Sequence, residues 1–125
     1  MDVILTIHSI NRWLIVTIAL IAAVKYTIGW LGRHDYQSMD QVLLRGLTGL
    51  MDLQALLGII LLIGLGIETY RIEHLITMVI AIVILHLSAL WRNASDGVKY
   101  RNNLFAIAAS MIAVVLGVGL LPQGW

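Results

Sequence analysis

Four long apolar runs decide what this chain can become. Residues 5–30, 47–67, 75–91 and 104–121 are almost free of charge. About 20 residues at a rise of about 1.5 Å cross the hydrocarbon core of a bilayer, so runs of this length read as membrane helices. Arg12 and Lys25 interrupt the first run, Asp52 the second, and His86 lies inside the third. The connections between them, 31–46 (with helix resuming before Arg45), 68–73 and 92–103, are short and polar. Short connections place each helix antiparallel to the next. The expected fold is therefore all-α, an antiparallel four-helix transmembrane bundle that forms a single domain over residues 1–125. Pro122, the only proline, follows the last run, where it breaks no helix.

Composition agrees with that reading and narrows the functions available. Hydrophobic residues make up 60% of the chain and charged residues 12%, against roughly 25% charged in a soluble domain. So little polar surface argues against a water-exposed enzyme or a disordered tail. A net charge of +1 offers no basic field for nucleic acid. The absence of cysteine excludes disulfides, thiolate catalysis and Cys-ligated metals, and puts weight on the four histidines.

The first run begins after Met-Asp, without the basic leader of a cleaved signal peptide, so it is expected to be a retained span. Lys and Arg then orient the bundle. Lys25, Arg33, Arg45, Arg92, Lys99 and Arg101 flank the first and third connections, against Arg12 and Arg71 at the other end. Loops 31–46 and 92–103 should thus face the cytoplasm, with both termini on the outer side, in a multi-pass protein of a bacterial inner membrane. Tyr26, Trp30, Trp91 and Trp125 near the span ends read as an aromatic belt, and Lys25 as a side chain that snorkels to the cytoplasmic surface.

In lipid, small and polar residues mark the inward faces of helices. His8, Arg12, Ile15, Ala19, Ala22, Tyr26 and Gly29 form one stripe on the first helix. Thr48, Asp52, Ala55 and Gly58, with Gln54 alongside, form a polar arc on the second. His74, Met78, Ala81, Leu85 and Ser88 run down the third, and Asn103, Ala106, Ser110, Ala113 and Gly117 down the fourth. Such seams serve helix packing whether or not they also accommodate a ligand.

Ionisable groups are costly inside a membrane, so each is a candidate for function. Antiparallel topology puts His8 and His74 at one depth near the outer surface, with Arg12 one turn below His8 and Arg71 close by. Two imidazoles from facing bundle helices can occupy both axial positions of a b-type haem, and a guanidinium can pair with a propionate. The plainer alternative is a pair of interfacial histidines bonded to backbone or water, and a (bacterio)chlorophyll magnesium would accept the same ligand. Nearer the cytoplasmic side, Asp52 and His86 can meet across the second and third helices, as a structural clasp or as a proton-accepting, quinone-facing pair. His74 and His86 are twelve residues apart, about 120° around a helix, which argues against two stacked haems. His34 beside Asp35 reads as solvated.

The segment His8-Ser9-Ile10-Asn11-Arg12-Trp13 resembles the H-S-x-x-R-W opening of small four-helix bacterial membrane proteins of cytochrome b-like type, most of them uncharacterised. The likeness continues through Leu53-Gln54-Ala55-Leu56-Leu57-Gly58 and through Glu73-His74, followed by Met78 and His86. It implies a four-helix bundle with haem b held by histidines matching His8, His74 or His86. Some relatives carry a His before the Leu-Gln pair, where this chain has Asp52.

The expected function is a membrane electron-transfer protein with one b-type haem between the first and third helices. His8 and His74 would ligate the iron axially and Arg12 would pair with a propionate. Asp52, His86 and Gln54 are secondary candidates. Partners would be the bilayer and a larger quinone-linked respiratory or photosynthetic complex, or a second copy of the chain. The rival is a cofactor-free accessory subunit of such a complex. No nucleophile–base constellation, phosphate loop or carboxylate pair suggests independent catalysis.

Overall fold

The computed structural model describes residues 1–124, so the belt position assigned to Trp125 lies outside the described residues. It contains four helices, α1 (Asp2–Leu31), α2 (Ser38–Leu65), α3 (Thr69–His86) and α4 (Asp96–Gly119), with a 3-10 segment Leu87–Trp91 extending α3. All four are long and apolar enough to cross a membrane. At about 1.5 Å per residue, the 30 residues of α1 match the full thickness of a bilayer with its headgroups. There is no strand among the described residues. The expected all-α four-helix architecture is what the chain adopts.

The helices begin earlier than the apolar runs do, because helix starts are set by capping and not by hydropathy. Residues 31–46 are mostly helical: α2 starts at Ser38, where the Asp40 carboxylate accepts the backbone N–H of Gln37 at 2.8 Å. Residues 92–103 are likewise helical from Asp96, behind the N-cap Ser95. At the other end of the bundle α2 stops at Gly66, whose φ of 103° suits a residue without Cβ. Arg71 then donates to the carbonyls of Leu65 and Gly66 at 2.9 and 2.8 Å, closing the C-terminus of α2.

Around the bundle, α1 packs beside α2 and α4, and α3 beside α4 and α2, so α1 and α3 are diagonal. The α3–α4 seam is the densest and the α2–α3 seam the sparsest. Small residues explain the dense seam. Ala81 is fully buried, and Ser110, also fully buried, donates to its carbonyl at 2.9 Å across the helices. The stripes expected on α1, α3 and α4 face inward: Ile15, Ala19, Ala22, Tyr26 and Gly29, then Met78, Ala81 and Leu85, then Asn103, Ala106, Ser110 and Gly117 are buried.

The second helix departs from expectation. Its buried residues are Asp40 in the first turn and then Leu44, Leu47, Met51, Gln54, Leu57 and Leu61. Thr48, Ala55 and Gly58 are only partly covered, and Asp52 is exposed. Large side chains on α2 fill the space left by Ala19 and Ala22 on α1, so the inward face is the Leu/Met stripe and the polar arc turns toward the loose α2–α3 seam. Outside, Val3, Ile10, Leu20, Ile63 and Leu90 are among many exposed large apolar side chains, the surface lipid requires.

At the end carrying the α1–α2 and α3–α4 connections, a polar clasp closes the bundle. Asp40 is fully buried. Its carboxylate takes Lys25 Nζ at 2.5 Å and Tyr100 Oη at 2.6 Å, and Tyr26 Oη donates to its backbone carbonyl. The rings of Tyr26, Tyr36 and Tyr100 cluster around it with centroids 5.1–6.2 Å apart. Trp91 Nε1 donates to Asn103 Oδ1 at 2.6 Å, and Asn103 Nδ2 to Tyr36 Oη at 3.1 Å. Lys25 is therefore an ion-pair partner as well as an interfacial cation. Tyr26 is core, and Trp91 belongs to this network in addition to any belt. Burial pushes the phenol of Tyr36, in the α1–α2 connection, above its ordinary range.

Candidate functional site

At the opposite end, where residues 1 and 124 lie, a cavity of about 340 Å³ opens among α1, α2 and α3, with Leu121 and Gln123 at its edge. His8, Arg12, Gln54, Gly58, Arg71 and His74 supply its polar and small walls, and Leu61, Leu62, Leu75 and Met78 its apolar ones. A narrow void of about 30 Å³ continues toward the bundle axis, again bordered by His8, Arg12 and His74. The structure thus brings together the three residues that sequence reasoning singled out first.

Each imidazole is held by a different device. His74 Nδ1 lies 2.8 Å from the carbonyl oxygen of Gly117 on α4. A carbonyl only accepts, so Nδ1 carries a proton, and in the neutral ring Nε2 is the nitrogen with the lone pair. Metal-binding histidines are oriented in this way, one ring nitrogen donating to a fixed acceptor while the other ligates. His8 is positioned through its backbone. Gln54 Nε2 donates to the His8 carbonyl at 3.0 Å, while Asn11 Nδ2 donates to Gln54 Oε1 at 2.8 Å and to the Leu50 carbonyl at 3.0 Å. Asn11 and Gln54 are both buried. This network locks the early turns of α1 to the middle of α2. A Cβ added to Gly58 would stand 3.9 Å from His8 Nε2, so the glycine leaves room beside the ring.

Arg12 is half-buried along the same wall, its guanidinium 5.3 Å from the centre of the Trp13 ring. Arg71 reaches the cavity from the first turn of α3 while also capping α2. The cavity thus holds two imidazoles and two guanidiniums, backed by apolar walls. Its volume falls within the range of about 300–1,000 Å³ usual for small-molecule and cofactor sites. Among the described residues no three His, Asp or Glu side chains converge as a metal cluster would require. Two imidazoles with adjacent cations fit a group that needs two axial ligands and carries its own carboxylates. A porphyrin iron has those needs, and a chlorophyll-type magnesium accepts the same kind of nitrogen.

Asp52 and His86 meet as well: His86 Nε2 is 3.1 Å from Asp52 Oδ1, and the two side chains are 54% and 49% exposed. The pair lies in a separate cleft near the clasp, between α2 and α3. It takes no part in the His8–His74 cavity, which matches the twelve residues between His74 and His86, about 120° around the helix and about 18 Å along it. His34 is exposed. Gln54 belongs to the first cavity as the residue that ties His8 to Asn11.

Sequence reasoning missed Asn11 and Gly117 as positioning residues. Asn11 sits between His8 and Ile15 on the buried side of α1, where a lone amide signals a partner across the helices. Gly117 was visible only as a small residue, because the group it contributes is a backbone carbonyl, which every residue has. No family model, no curated protein and no solved structure matches this chain.

Proposed function

We propose that this chain is a small b-type cytochrome of a bacterial inner membrane, binding one haem between the diagonal helices α1 and α3. The observation that carries the reading is the His74–Gly117 hydrogen bond. In the neutral ring it leaves the Nε2 lone pair of His74 available in a cavity that His8 also lines. His8 and His74 would hold the iron, and Arg12, with Arg71 beside it, would neutralise the propionates. Haem supplies one-electron redox chemistry. The protein residues hold and orient it, and the apolar walls lower the local dielectric around it.

The basic residues give the orientation we infer, with the α1–α2 and α3–α4 connections cytoplasmic and the haem near the outer surface. In this reading electrons would pass to and from a larger membrane complex, with quinone as the small carrier.

The decisive experiment is an absorption spectrum of protein purified from haem-replete cells. We expect Soret and alpha bands on dithionite reduction, and a pyridine haemochrome assay giving one haem b per chain. His8→Ala and His74→Ala should each remove most of the bound haem while preserving helix content by circular dichroism. Asp52→Asn should retain it. A helical, colourless protein would overturn the proposal, and its co-purification with a larger complex would favour an accessory subunit instead.

A further inference from the structure

The clasp end of the bundle holds a second, larger cavity that the proposed haem site does not use. It is a cleft of about 730 Å³ where α2 and α3 splay apart, with the Asp52–His86 pair in its wall. Three cations from three different elements line it: Arg45 on α2, Arg92 just after the 3-10 segment, and Lys99 on α4. Their charges are not consumed by the protein. Lys25, the other basic side chain deep in this end, is paired with Asp40. By contrast, no carboxylate lies within salt-bridge distance of Arg45, Arg92 or Lys99 among the described residues. Lys99 is held by the face of the Tyr36 ring, 5.2 Å from its centroid, which orders the ammonium without neutralising it. The single acid in the cleft, Asp52, is engaged by His86.

We propose that this cleft binds a phosphate-bearing anion. Two guanidiniums and an ammonium lining one cleft match a phosphate, whose oxygens accept several charge-assisted bonds at once. Arg45 and Arg92 are exposed and Lys99 is half-buried, and three separate elements bring them to the same cleft. The indole of Trp91, also in the wall, suits a ligand at the membrane–water boundary. Two sources carry the same chemistry: the headgroup of an anionic phospholipid from the cytoplasmic leaflet, and a soluble phosphate compound. The site is independent of haem occupancy at the other end.

Native mass spectrometry of the purified protein with dioctanoyl phosphatidylglycerol, beside calorimetry with inorganic phosphate and glycerol 3-phosphate, tests it. Wild type should retain one adduct, and the triple variant Arg45→Gln/Arg92→Gln/Lys99→Gln should bind about tenfold or more weakly. The double variant Arg33→Gln/Arg101→Gln removes cations that do not line the cleft, and should bind as wild type does. Should the triple variant lose helicity, the single Arg92→Gln change, at an exposed position, should weaken binding by a few-fold. Binding of the lipid alone identifies a headgroup site, and binding of the soluble phosphates with the same variant pattern identifies a soluble ligand. No saturable binding of any probe, or equal weakening in the Arg33/Arg101 control, would overturn the proposal.

Discussion

Replacing Asp40 with alanine tests whether the polar clasp, more than helix packing alone, fixes the connection end of the bundle. The carboxylate is fully buried and receives three donors: Lys25 Nζ, Tyr100 Oη and the Gln37 backbone N–H. Removing one member of a buried ion pair costs about 3–5 kcal/mol when the orphaned charge stays dry. That ceiling does not apply here, because the Lys25 side chain is 40% exposed and can turn its ammonium to solvent, so its share is discounted to about 0–1 kcal/mol. Tyr100 keeps a second acceptor, the Asp35 carbonyl at 2.9 Å, yet loses a bond to a charged group worth about 1.5–3 kcal/mol. The lost cap at the start of α2 adds about 1 kcal/mol. The sum is about 2.5–5 kcal/mol, most of it from the cap and Tyr100. Unfolding in mixed SDS–detergent micelles, followed by circular dichroism, measures this directly. A double-mutant cycle with Lys25→Met should give a coupling below about 1 kcal/mol. A destabilisation under about 1 kcal/mol, or a Lys25–Asp40 coupling above about 2 kcal/mol, would refute this division of the effect.

Further outcomes are expected in the same assays. Gly29→Ala would place a Cβ 2.5–2.7 Å from the ring carbons of buried Tyr100, and should cost about 1–3 kcal/mol. Gly46→Ala meets nothing within 4 Å and should stabilise by about 0.5–1 kcal/mol through helix propensity. Ser110→Ala removes the hydrogen bond to Ala81 and should cost only about 0.6 kcal/mol, the average for such bonds inside a membrane. Asp52→Asn should change stability by less than about 1 kcal/mol, since the pair with His86 is half-exposed. Gly117→Ala would crowd Met78 Cε and Thr77 Oγ1, at 2.5 and 2.9 Å from the added carbon. It should lower stability and, under the proposed haem reading, haem retention too, whereas Ser110→Ala should lower stability alone.

What the sequence revealed depended on whether side chains or backbone carried the information. The seams on α1 and α4 were readable because Ala19, Ala22, Ser110 and Gly117 stand out among Leu, Ile and Val. The face of α2 was not, for the same reason in reverse: Leu47, Met51 and Leu57 look identical whether they meet lipid or the small residues of α1. Polarity alone pointed to Asp52, and an acid in a membrane helix can satisfy itself in an open seam beside His86 without entering the core. Asp40 went unnoticed because it precedes the apolar run, where an acid is ordinarily solvated. Its burial follows from Lys25, Tyr26 and Tyr100, which are distant in sequence and meet only once α1 and α4 have packed. That His8 and His74 line one cavity was legible because antiparallel topology fixes depth, and depth needs only residue counting.

Packing and the candidate site share one physical cause on α4. Gly117 has no Cβ, so α3 can approach closely enough for the His74 ring to reach the Gly117 carbonyl. That carbonyl lies near the C-terminus of α4, where the last turn leaves main-chain acceptors only partly used by the helix itself. The bond to His74 therefore satisfies a main-chain acceptor and fixes the ring tautomer together. On the opposite wall, Asn11 and Gln54 use buried amides to bind α1 to α2 around the His8 carbonyl. Because the His74 ring is held from α4 and the His8 backbone from α2, the placement of the two rings depends on the packing of all four helices. Loosening any one seam should disturb the cavity before it unfolds the bundle.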